Sequence, residues 1–404
     1  MFIDSNLNFI DLFAGAGGLS EGFIQAGFNP IAHVEMNQAA AQTLETRAAY
    51  LYLKKKGLLK WYRKYETGEI SREELFSHVP SDVTKTVINA EMSAKTLPTI
   101  FNTVDEIMSN DGTSHVDVIV GGPPCQAYSL VGRAQSSHMI VPMDQDPRNE
   151  LYKMYTGFLD RYKPKMFVFE NVAGITSARD GKVFKELQDA IKKVGYEVEP
   201  HLQNAADFGV LQNRRRMIII GWKEDTNYHY PVFEKKRSNA VVNDLLKDLD
   251  VVNRGEENNT YSLSYDNCSD YLKKNKIRTK NDVVTHHMAR PNNDRDLKIY
   301  KLAIEAYQDN GKRISYDLLP EELKTHKNQT SFKDRFKVVE GNDSACHTVL
   351  AHLAKDGHYF IHPDINQCRS ITVREAARLQ TFPDNYYFEG SRGEKFKQDR
   401  KSVV

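Results

Sequence analysis

DLFAGAGGLSEGF, residues 11–23, gives the strongest indication of the fold. It begins where an apolar, strand-like run ends and leads into a short helical pattern, and its glycines Gly15, Gly17 and Gly18 allow a tight turn that a ligand can approach closely. A glycine-rich turn after the first strand of an α/β sheet is the usual site for a cofactor that carries adenosine. Glu35 ends the next strand, 20 residues after Gly15, where an acid can accept hydrogen bonds from ribose hydroxyls. The turn alone does not separate NAD, FAD and S-adenosylmethionine, although the missing GxGxxG spacing argues against a dinucleotide.

Five apolar runs in the first half of the chain have the length and composition of buried strands. They read LNFIDLFAG, NPIAHVEMN, HVDVIVGGPP, PKMFVFENV and RRRMIIIGW, and none alternates cleanly between apolar and polar residues. Such runs are typical of a sheet that is covered on both faces. Helical segments lie between them; in GKVFKELQDAIKKVGY, Phe184, Leu187 and Ile191 share one face, and Gly195 ends the helix. The alternation predicts an α/β fold with a doubly wound parallel sheet.

Composition and charge limit the classes of function. At 404 residues the chain can bury a substantial core, and no apolar run approaches the roughly 18 residues that a membrane helix needs. The four cysteines form no CxxC pair and the histidines lack carboxylate or cysteine partners, which argues against a disulfide framework and against a metal site. A reducing cytoplasm fits this cysteine usage best. Since the net charge is only +1, any nucleic-acid surface must be local.

The organisation of the chain changes twice. Residues 50–86 interrupt the strand–helix rhythm with a charged, aromatic helical segment, which we interpret as a surface elaboration. After Trp222 the composition shifts to Asn, Lys, Asp and Tyr with poor periodicity, which predicts a second, loop-rich domain. One helix in it is clear, DRDLKIYKLAIEAYQ, with one face formed by Leu297, Tyr300, Ile304 and Tyr307.

Polar residues stand at the ends or openings of three of the strands. Cys125 opens a polar loop in GGPPCQAYS, residues 121–129, and is either an inert buried thiol or a nucleophile that meets a substrate. Glu170 ends an apolar strand, where a carboxylate is either paired structurally or held for proton transfer. Alternation sends Arg214 and Arg216 of QNRRRM to one face, as an exposed basic rim or as a site for phosphate or carboxylate.

Five motifs occur in order along the chain: DLFAGAGGLSEGF, GGPPCQAYS, ENV, QNRRR and RSITVREAARLQTFPD. Together they resemble the DNA (cytosine-5)-methyltransferase family over about residues 8–222 and 339–398. The resemblance implies a Rossmann-like, S-adenosylmethionine-dependent methyltransferase sheet with a smaller, loop-rich target-recognition domain. It places the catalytic domain at residues 1–222, with residues 390–404 returning to it, and the target-recognition domain and hinge at residues 223–389.

The resemblance also implies which residues hold S-adenosylmethionine. Phe13 would stack on the adenine, Glu35 would bind the ribose, and Glu91, where the family usually has Asp, would accept from the adenine amino group. The full set of implied cofactor-binding residues is Phe13, Gly15, Ala16, Gly17, Gly18, Leu19, Glu35, Met36, Glu91, Met92, Pro124 and Leu151.

The chemistry implied by the resemblance is nucleophilic catalysis. Cys125 would attack C6 of cytosine, which makes C5 nucleophilic toward the methyl group, and Glu170 would contact N3 and the exocyclic amine. Arg214 would support this pair, and Arg216 would contact the cytosine carbonyl. Because C5 cannot be reached inside a duplex, the base must be flipped out. The loop after Cys125 would close over the base, and its implied DNA-binding residues are Gln126, Ser129, Gly132 and Arg133.

The chain departs from the family at its carboxyl end. Where the family has Gln-Ile-Gly-Asn-x-Val-Pro, this chain reads FKQDRKSVV, with Gln398, Ser402 and Val403 in register. The departure leaves two alternatives to a complete enzyme. One is a catalytically impaired DNA-binding relative, and the other is one part of a split methyltransferase that a second polypeptide completes.

The function predicted from the sequence is methylation of cytosine in a specific duplex sequence, as the modification enzyme of a bacterial restriction–modification system. We expect double-stranded DNA as the partner, no membrane, a monomer, and a cytoplasmic, nucleoid-associated location. The basic clusters EKKR, residues 234–237, and KKNKIRTK, residues 273–280, could neutralise DNA phosphates. Two further hypotheses are a transfer-RNA cytosine methylase, against which the sizeable variable domain argues, and a nicotinamide-dependent oxidoreductase, which explains neither GGPPCQAYS nor QNRRR.

Overall fold

A seven-stranded, mostly parallel sheet forms the centre of the first half of the chain. The computed structural model describes residues 7–123, 151–178, 180–256, 265–311, 313–325 and 332–399. The strands of the sheet follow the order β3-β2-β1-β4-β5-β8-β6, and β7 pairs separately with β9. The strands are β1 Asn8–Leu12, β2 Asn29–Glu35, β3 Val87–Asn89, β4 Val118–Gly121, β5 Met166–Asn171, β6 Tyr196–Asn204, β7 Gln212–Asn213, β8 Arg215–Lys223 and β9 Cys346–His347.

Helices pack against both faces of the sheet, and they account for most of the remaining regular secondary structure. They are α1 Gly18–Gln25, α2 Gln38–Lys55, α3 Leu59–Glu66, α4 Arg72–Ser77, α5 Ser81–Lys85, α6 Leu97–Asp111, α7 Leu151–Tyr162, α8 Lys182–Lys193, α9 Asp270–Lys274, α10 Asp294–Asn310, α11 Val373–Leu379 and α12 Arg392–Asp399. None of these described helices combines the length and the apolar composition that a bilayer-spanning helix needs.

The sheet confirms the α/β fold and corrects one feature of the prediction. All five predicted strands are present, and β1 runs parallel to both β2 and β4. However, β8 runs antiparallel to β5 and β6, whereas a parallel sheet was expected. The connection from β6 to β8 contains only a short 3₁₀ turn, Ala205–Phe208, and β7, so there is no crossover helix of the kind that a parallel pairing requires.

The core lies where the apolar strands meet the helices that flank them. Ile10, Ile119 and Phe167 are fully buried in one cluster with residues from several helices. The predicted α8 is confirmed: Leu187 and Ile191 are buried in the same cluster, and Phe184 packs against it. The carboxyl ends of β1, β2, β4 and β5 all reach the same edge of the sheet, which is therefore the edge where a site can be assembled.

The segment predicted as a helical elaboration forms α3, α4 and α5, between α2 and β3. Tyr62 and Leu75 are buried against α2, and Tyr387 from the far end of the chain packs against the same cluster. The Tyr62 hydroxyl donates to the Asn385 carbonyl at 3.0 Å. The elaboration is therefore anchored to the carboxyl-terminal part of the chain as well as to the sheet.

Three arginines of the RSITVREAARLQTFPD motif are fully buried around α11. Arg369 donates to both carboxylate oxygens of Glu375, each at 2.7 Å. Arg378 donates to Asp384 at 2.8 and 2.6 Å and to Asp248 at 2.5 Å. Buried charges must be paired, and the Arg378 contacts join Asp248, in the first part of the predicted target-recognition domain, to Asp384, which follows α11.

Two predictions for the second half of the chain, a helix and a basic cluster, can be compared with the structure. In α10, Tyr300 and Ile304 are buried and Leu297 and Tyr307 pack against them, as the helical spacing predicted. Arg278 belongs to the KKNKIRTK cluster, but it is buried and lies 3.6 Å from Asp384. Because Arg278 lies in the interior, it is not one of the exposed cations of this cluster that could bind DNA phosphates.

Candidate active site

The glycine turn links β1 to α1 at the point where the strand order of the sheet reverses. Phe13, Gly15 and Gly17 all have positive φ angles, of 59°, 58° and 81°. Glycine adopts this conformation at little cost, whereas Phe13 holds it against steric strain. Strained residues of this kind persist where the surrounding structure fixes them, and crevices at a strand-order reversal are the usual ligand sites of such sheets.

Glu35 lies directly against the glycine turn. Its Oε2 accepts from the Gly15 amide at 2.8 Å, and its Oε1 accepts from the Asn37 amide at 2.8 Å. Two backbone amides thus orient this carboxylate at the end of β2, and carboxylate oxygens are acceptors for hydroxyl groups. The neighbouring Met36 side chain is 60% exposed and offers an apolar surface beside this carboxylate. The residues present therefore fit the ribose and adenine of S-adenosylmethionine.

The other predicted cofactor residues lie at different depths. Ala16 and Gly18 are buried in the turn, and Leu19 packs partly buried beneath it. Glu91 is exposed after β3, whereas Met92 is buried in the core cluster of the sheet. Leu151 begins α7 and, together with Pro123, lines a small apolar recess at the carboxyl edge of the sheet. The predicted residues Pro124, Cys125, Gln126, Ser129, Gly132 and Arg133 lie outside the described part of the chain.

Glu170 and Arg216 form an ion pair across neighbouring strands. The Arg216 Nε lies 2.7 Å from Glu170 Oε1, and less than a fifth of each side chain is exposed. A β-carbon added at Gly122, just after β4, would lie 2.9 Å from Glu170 Oε2 and 3.1 Å from the Glu170 carbonyl oxygen, so glycine lets the chain pass close to this carboxylate without displacing it. Gly122 is the second residue of GGPPCQAYS, so this stretch begins beside Glu170.

The two predicted arginines of QNRRR differ in their surroundings. Arg214 precedes β8 and is buried, whereas Arg216 lies within β8 and is partly exposed beside Glu170. Arg215 between them is exposed. The backbone of Arg214 accepts from the Ala205 amide at 3.0 Å, which ties this segment to the turn that follows β6. The structure thus brings Arg216 beside the predicted catalytic carboxylate.

The three cysteines that the structure describes are poorly suited to nucleophilic attack. Burial raises the pKa of Cys268 to about 11, with the adjacent Asp248 acting in the same direction. Burial also raises the pKa of Cys346 and that of Cys368. Because the thiolate is the reactive form, none of these three would be substantially ionised at neutral pH.

Asp11 is a residue near the site that the sequence reasoning did not single out. It lies in β1, almost fully buried beneath the glycine turn, and accepts a hydrogen bond from the Ser20 hydroxyl. Burial raises its pKa from 3.8 to about 7; the Ser20 contact opposes this shift, and the nearby Glu35 carboxylate adds to it. The sequence pattern does not reveal this property of Asp11. Its pKa depends on burial and on the neighbouring Ser20 and Glu35, which only the structure shows.

The raised pKa of Asp11 leads to a pH-dependent stability. The unfolded chain loses this proton near pH 4 and the native chain near pH 7, so stability decreases as the pH rises between these values. We expect Asp11→Asn to raise the free energy of unfolding by about 1–3 kcal/mol at pH 8, with the gain vanishing by about pH 4. Urea titrations at both pH values measure the difference. The same substitution at the exposed Asp189 on α8 is the control, and an equal response of both variants would contradict the assignment.

Comparison with known proteins shows the family of this chain. The chain matches the family of C-5 cytosine-specific DNA methylases over residues 7–57 and 85–404, a match that omits most of the helical elaboration α3–α5. It is 41% identical to the type II methyltransferase M.Bpa9945I of Bacillus paralicheniformis, over 98% of this chain and 95% of that protein. It is 30% identical to the type II methyltransferase M.XorII of Xanthomonas oryzae pv. oryzae, over 98% and 81%.

Solved structures share the fold. An E. coli prophage protein, designated a DNA modification methyltransferase, superposes with a TM-score of 0.63 at 24% identity, covering 98% of this chain and 95% of its own. At this identity the likeness shows the architecture alone, an α/β fold with a mostly parallel central sheet. Since the family match extends over most of the chain and agrees with the ordered motifs, this chain belongs to the C-5 cytosine-specific DNA methylases and is a DNA (cytosine-5)-methyltransferase.

Proposed function

We propose that this enzyme transfers a methyl group from S-adenosylmethionine to C5 of a flipped-out cytosine in a specific duplex sequence. The observation that carries the proposal is the Glu170–Arg216 ion pair at the edge of the sheet that also holds the Gly15–Glu35 contact. A carboxylate that can bind a base and a turn that fits a nucleoside cofactor thus lie at one edge. The chain toward Cys125 departs from Gly122 between them.

The proposed catalytic step uses residues of this chain in three roles. The Cys125 thiolate forms a bond to C6 of cytosine, and Glu170 as the acid gives a proton to N3, which neutralises the negative charge that the attack places on the ring. C5, made nucleophilic by the attack, then takes the methyl group, and N3 gives its proton back as the product forms. Arg216 holds the Glu170 carboxylate in place from one side, and the close approach of Gly122 limits its movement on the other. Loss of the C5 proton after methylation then breaks the sulfur–carbon bond and returns the thiolate.

The glycine turn and Glu35 would hold S-adenosylmethionine, which supplies an electrophilic methyl group when bound. Glu35 would accept from the ribose hydroxyls, because its carboxylate is already oriented by two backbone amides. Met36 would cover the adenine with its exposed side chain. Glu91 is exposed just after β3 and could accept from the adenine amino group. Met92 is buried in the core cluster and would support this segment from the interior.

Duplex DNA is the proposed partner, with recognition by residues 223–389 and base flipping at the catalytic edge. The exposed lysines of KKNKIRTK are Lys274, Lys276 and Lys280, and they remain candidates for phosphate contacts. The second cluster, EKKR, is partly engaged within the chain, because Lys235 and Arg237 bind Asp207 at 3.1 and 2.8 Å. We propose that the enzyme acts as a monomer on DNA in the bacterial cytoplasm.

The names of its relatives favour a biological role in a type II restriction–modification system, where methylation would protect DNA from a partner nuclease. The alternative of an impaired or split protein is not favoured. Gln398 of α12 accepts from the Thr43 hydroxyl of α2 at 2.7 Å. Gln398 also donates to the Glu389 carbonyl at 2.8 Å, so α12 is joined to α2 within this chain.

Methylome sequencing tests the proposed function directly. We expect DNA from cells that express this chain to carry 5-methylcytosine at one short sequence, in nearly every copy of that sequence. Cells that express Cys125→Ala at the same level are expected to show no such sequence, since the nucleophile is missing. The proposal is wrong if the well-expressed wild-type chain leaves DNA unmodified, or if the methylated cytosines occur in transfer RNA instead.

A further inference from the structure

Tyr386 contacts the back of the glycine turn from a distant part of the chain. Its hydroxyl donates to the Ala16 carbonyl at 2.5 Å, and the two residues are separated by 370 positions. Tyr386 is only 1% exposed and Ala16 is fully buried, so water cannot replace this hydrogen bond. A buried carbonyl without a partner costs more free energy than a hydrogen bond contributes, which makes this contact a strong constraint on the turn.

The same tyrosine also limits the turn by direct packing. A β-carbon added at Gly17 would lie 2.8 Å from the Tyr386 hydroxyl and 2.7 Å from the Leu44 Cδ2 atom. Gly17 has a φ of 81°, so glycine is required there both by conformation and by space. Tyr386 therefore determines where the backbone of residues 16 and 17 can lie.

Arg47 on α2 holds Tyr386 and α1 together. Its guanidinium lies 4.8 Å from the centre of the Tyr386 ring and donates to Asn385 Oδ1 at 2.8 Å. It also donates to both carboxylate oxygens of Glu21, at 2.9 and 2.6 Å. Glu21 lies in the first turn of α1, the helix that starts at the glycine turn, so the turn is fixed at residue 16 and again just beyond its end.

The segment that carries Tyr386 is itself rigidly held. Asp384 is bound by Arg378 of α11, which also binds Asp248 in the predicted target-recognition domain. A continuous set of buried contacts thus leads from that domain to the glycine turn. Its members come from chain segments that are separated by hundreds of residues.

We propose that Tyr386 is a positioning residue that holds the glycine turn in the conformation that binds S-adenosylmethionine. This inference rests on the proposed function, because it assigns Tyr386 to the affinity for that cofactor. Tyr386 acts through the Ala16 carbonyl from behind the turn and donates its hydrogen bond to protein backbone. Its effect is therefore on cofactor binding, and the chemical step with bound cofactor proceeds without it.

Tyr386→Phe tests the proposal, since it removes only the hydroxyl. We expect its dissociation constant for S-adenosylhomocysteine, measured by isothermal titration calorimetry, to rise about tenfold, because the turn can relax once Ala16 loses its partner. KM for S-adenosylmethionine should rise similarly, while kcat at saturating cofactor stays within about twofold of wild type. Arg47→Lys keeps the charge but loses the paired contact with Glu21, and it should shift the dissociation constant in the same direction.

Tyr196→Phe is the matched control. The Tyr196 hydroxyl is buried and donates to the Pro164 carbonyl at 2.7 Å, beyond the opposite end of the strands. Both Phe variants should lose similar thermal stability without ligand, but only Tyr386→Phe should weaken binding of S-adenosylhomocysteine. Equal affinities for wild type and Tyr386→Phe would overturn the inference alone. A wild-type chain that fails to bind S-adenosylhomocysteine at all would overturn the proposed function and this inference together.

Discussion

Replacing Cys125 by alanine is expected to abolish methyl transfer, with a loss of at least about 10³-fold in kcat, while duplex binding stays within about threefold of wild type. The chemistry requires a thiolate that bonds to C6, and no other group of this chain is proposed to supply that bond. Transfer of radiolabelled methyl groups to a duplex that contains the recognised sequence measures the first quantity. Gel-shift titration of the same duplex measures the second.

The same substitution at Cys368 is the control for this prediction. Cys368 is half-buried, and its thiol donates to the Ile365 carbonyl at 3.0 Å, so its replacement should leave methyl transfer near the wild-type level. A duplex with 5-fluorocytosine at the target position adds a second readout. The wild-type chain and Cys368→Ala should form a covalent adduct with it in the presence of S-adenosylmethionine, and Cys125→Ala should form none. An adduct with Cys125→Ala would assign the nucleophile to another residue.

The apolar runs of the sequence predict the sheet well, because burial on both faces leaves a strong compositional signal. They do not reveal the direction of β8, since MIII reads the same in a parallel and an antiparallel strand. They also miss β6, whose sequence YEVEPHLQN contains charged residues and a proline. Such residues are tolerated at the edge of a sheet, where β6 lies, so its composition resembles that of a loop.

The site was predictable as far as its residues lie in local motifs. Glu35 and Gly15 stand in two such motifs, and the structure brings them into contact. Glu170 and Arg216 likewise come together, although the sequence left open whether each was structural or functional. Tyr386 and Arg47 could not be predicted, because their roles depend on contacts across most of the length of the chain. The buried arginines of α11 were hidden for a similar reason: a helix with charges at Arg374 and Arg378 has the composition of an exposed one.

Glu170→Gln is expected to lower kcat by about 10²–10³-fold, because the amide keeps the size of the side chain but cannot give a proton to N3, where negative charge develops when the thiolate attacks C6. Arg216 lies 2.7 Å from this carboxylate and would keep its charge, so the variant also leaves a partly buried cation with a weakened partner. Methyl transfer under single-turnover conditions measures the loss, and the rate of adduct formation with 5-fluorocytosine shows whether attack at C6 is the step affected.

A double-mutant cycle with Arg216→Gln then separates a shared role from two independent ones. If Arg216 acts by holding Glu170, each single substitution should cost a similar factor and the double variant little more than either, because the second change removes an interaction that is already lost. Additive losses would instead mean that Arg216 meets the substrate by itself. Glu186→Gln, at an exposed position of α8, controls for the loss of a negative charge and should retain wild-type activity. Wild-type rates for Glu170→Gln would remove this carboxylate from the mechanism and leave its ion pair with Arg216 a structural feature of the sheet edge.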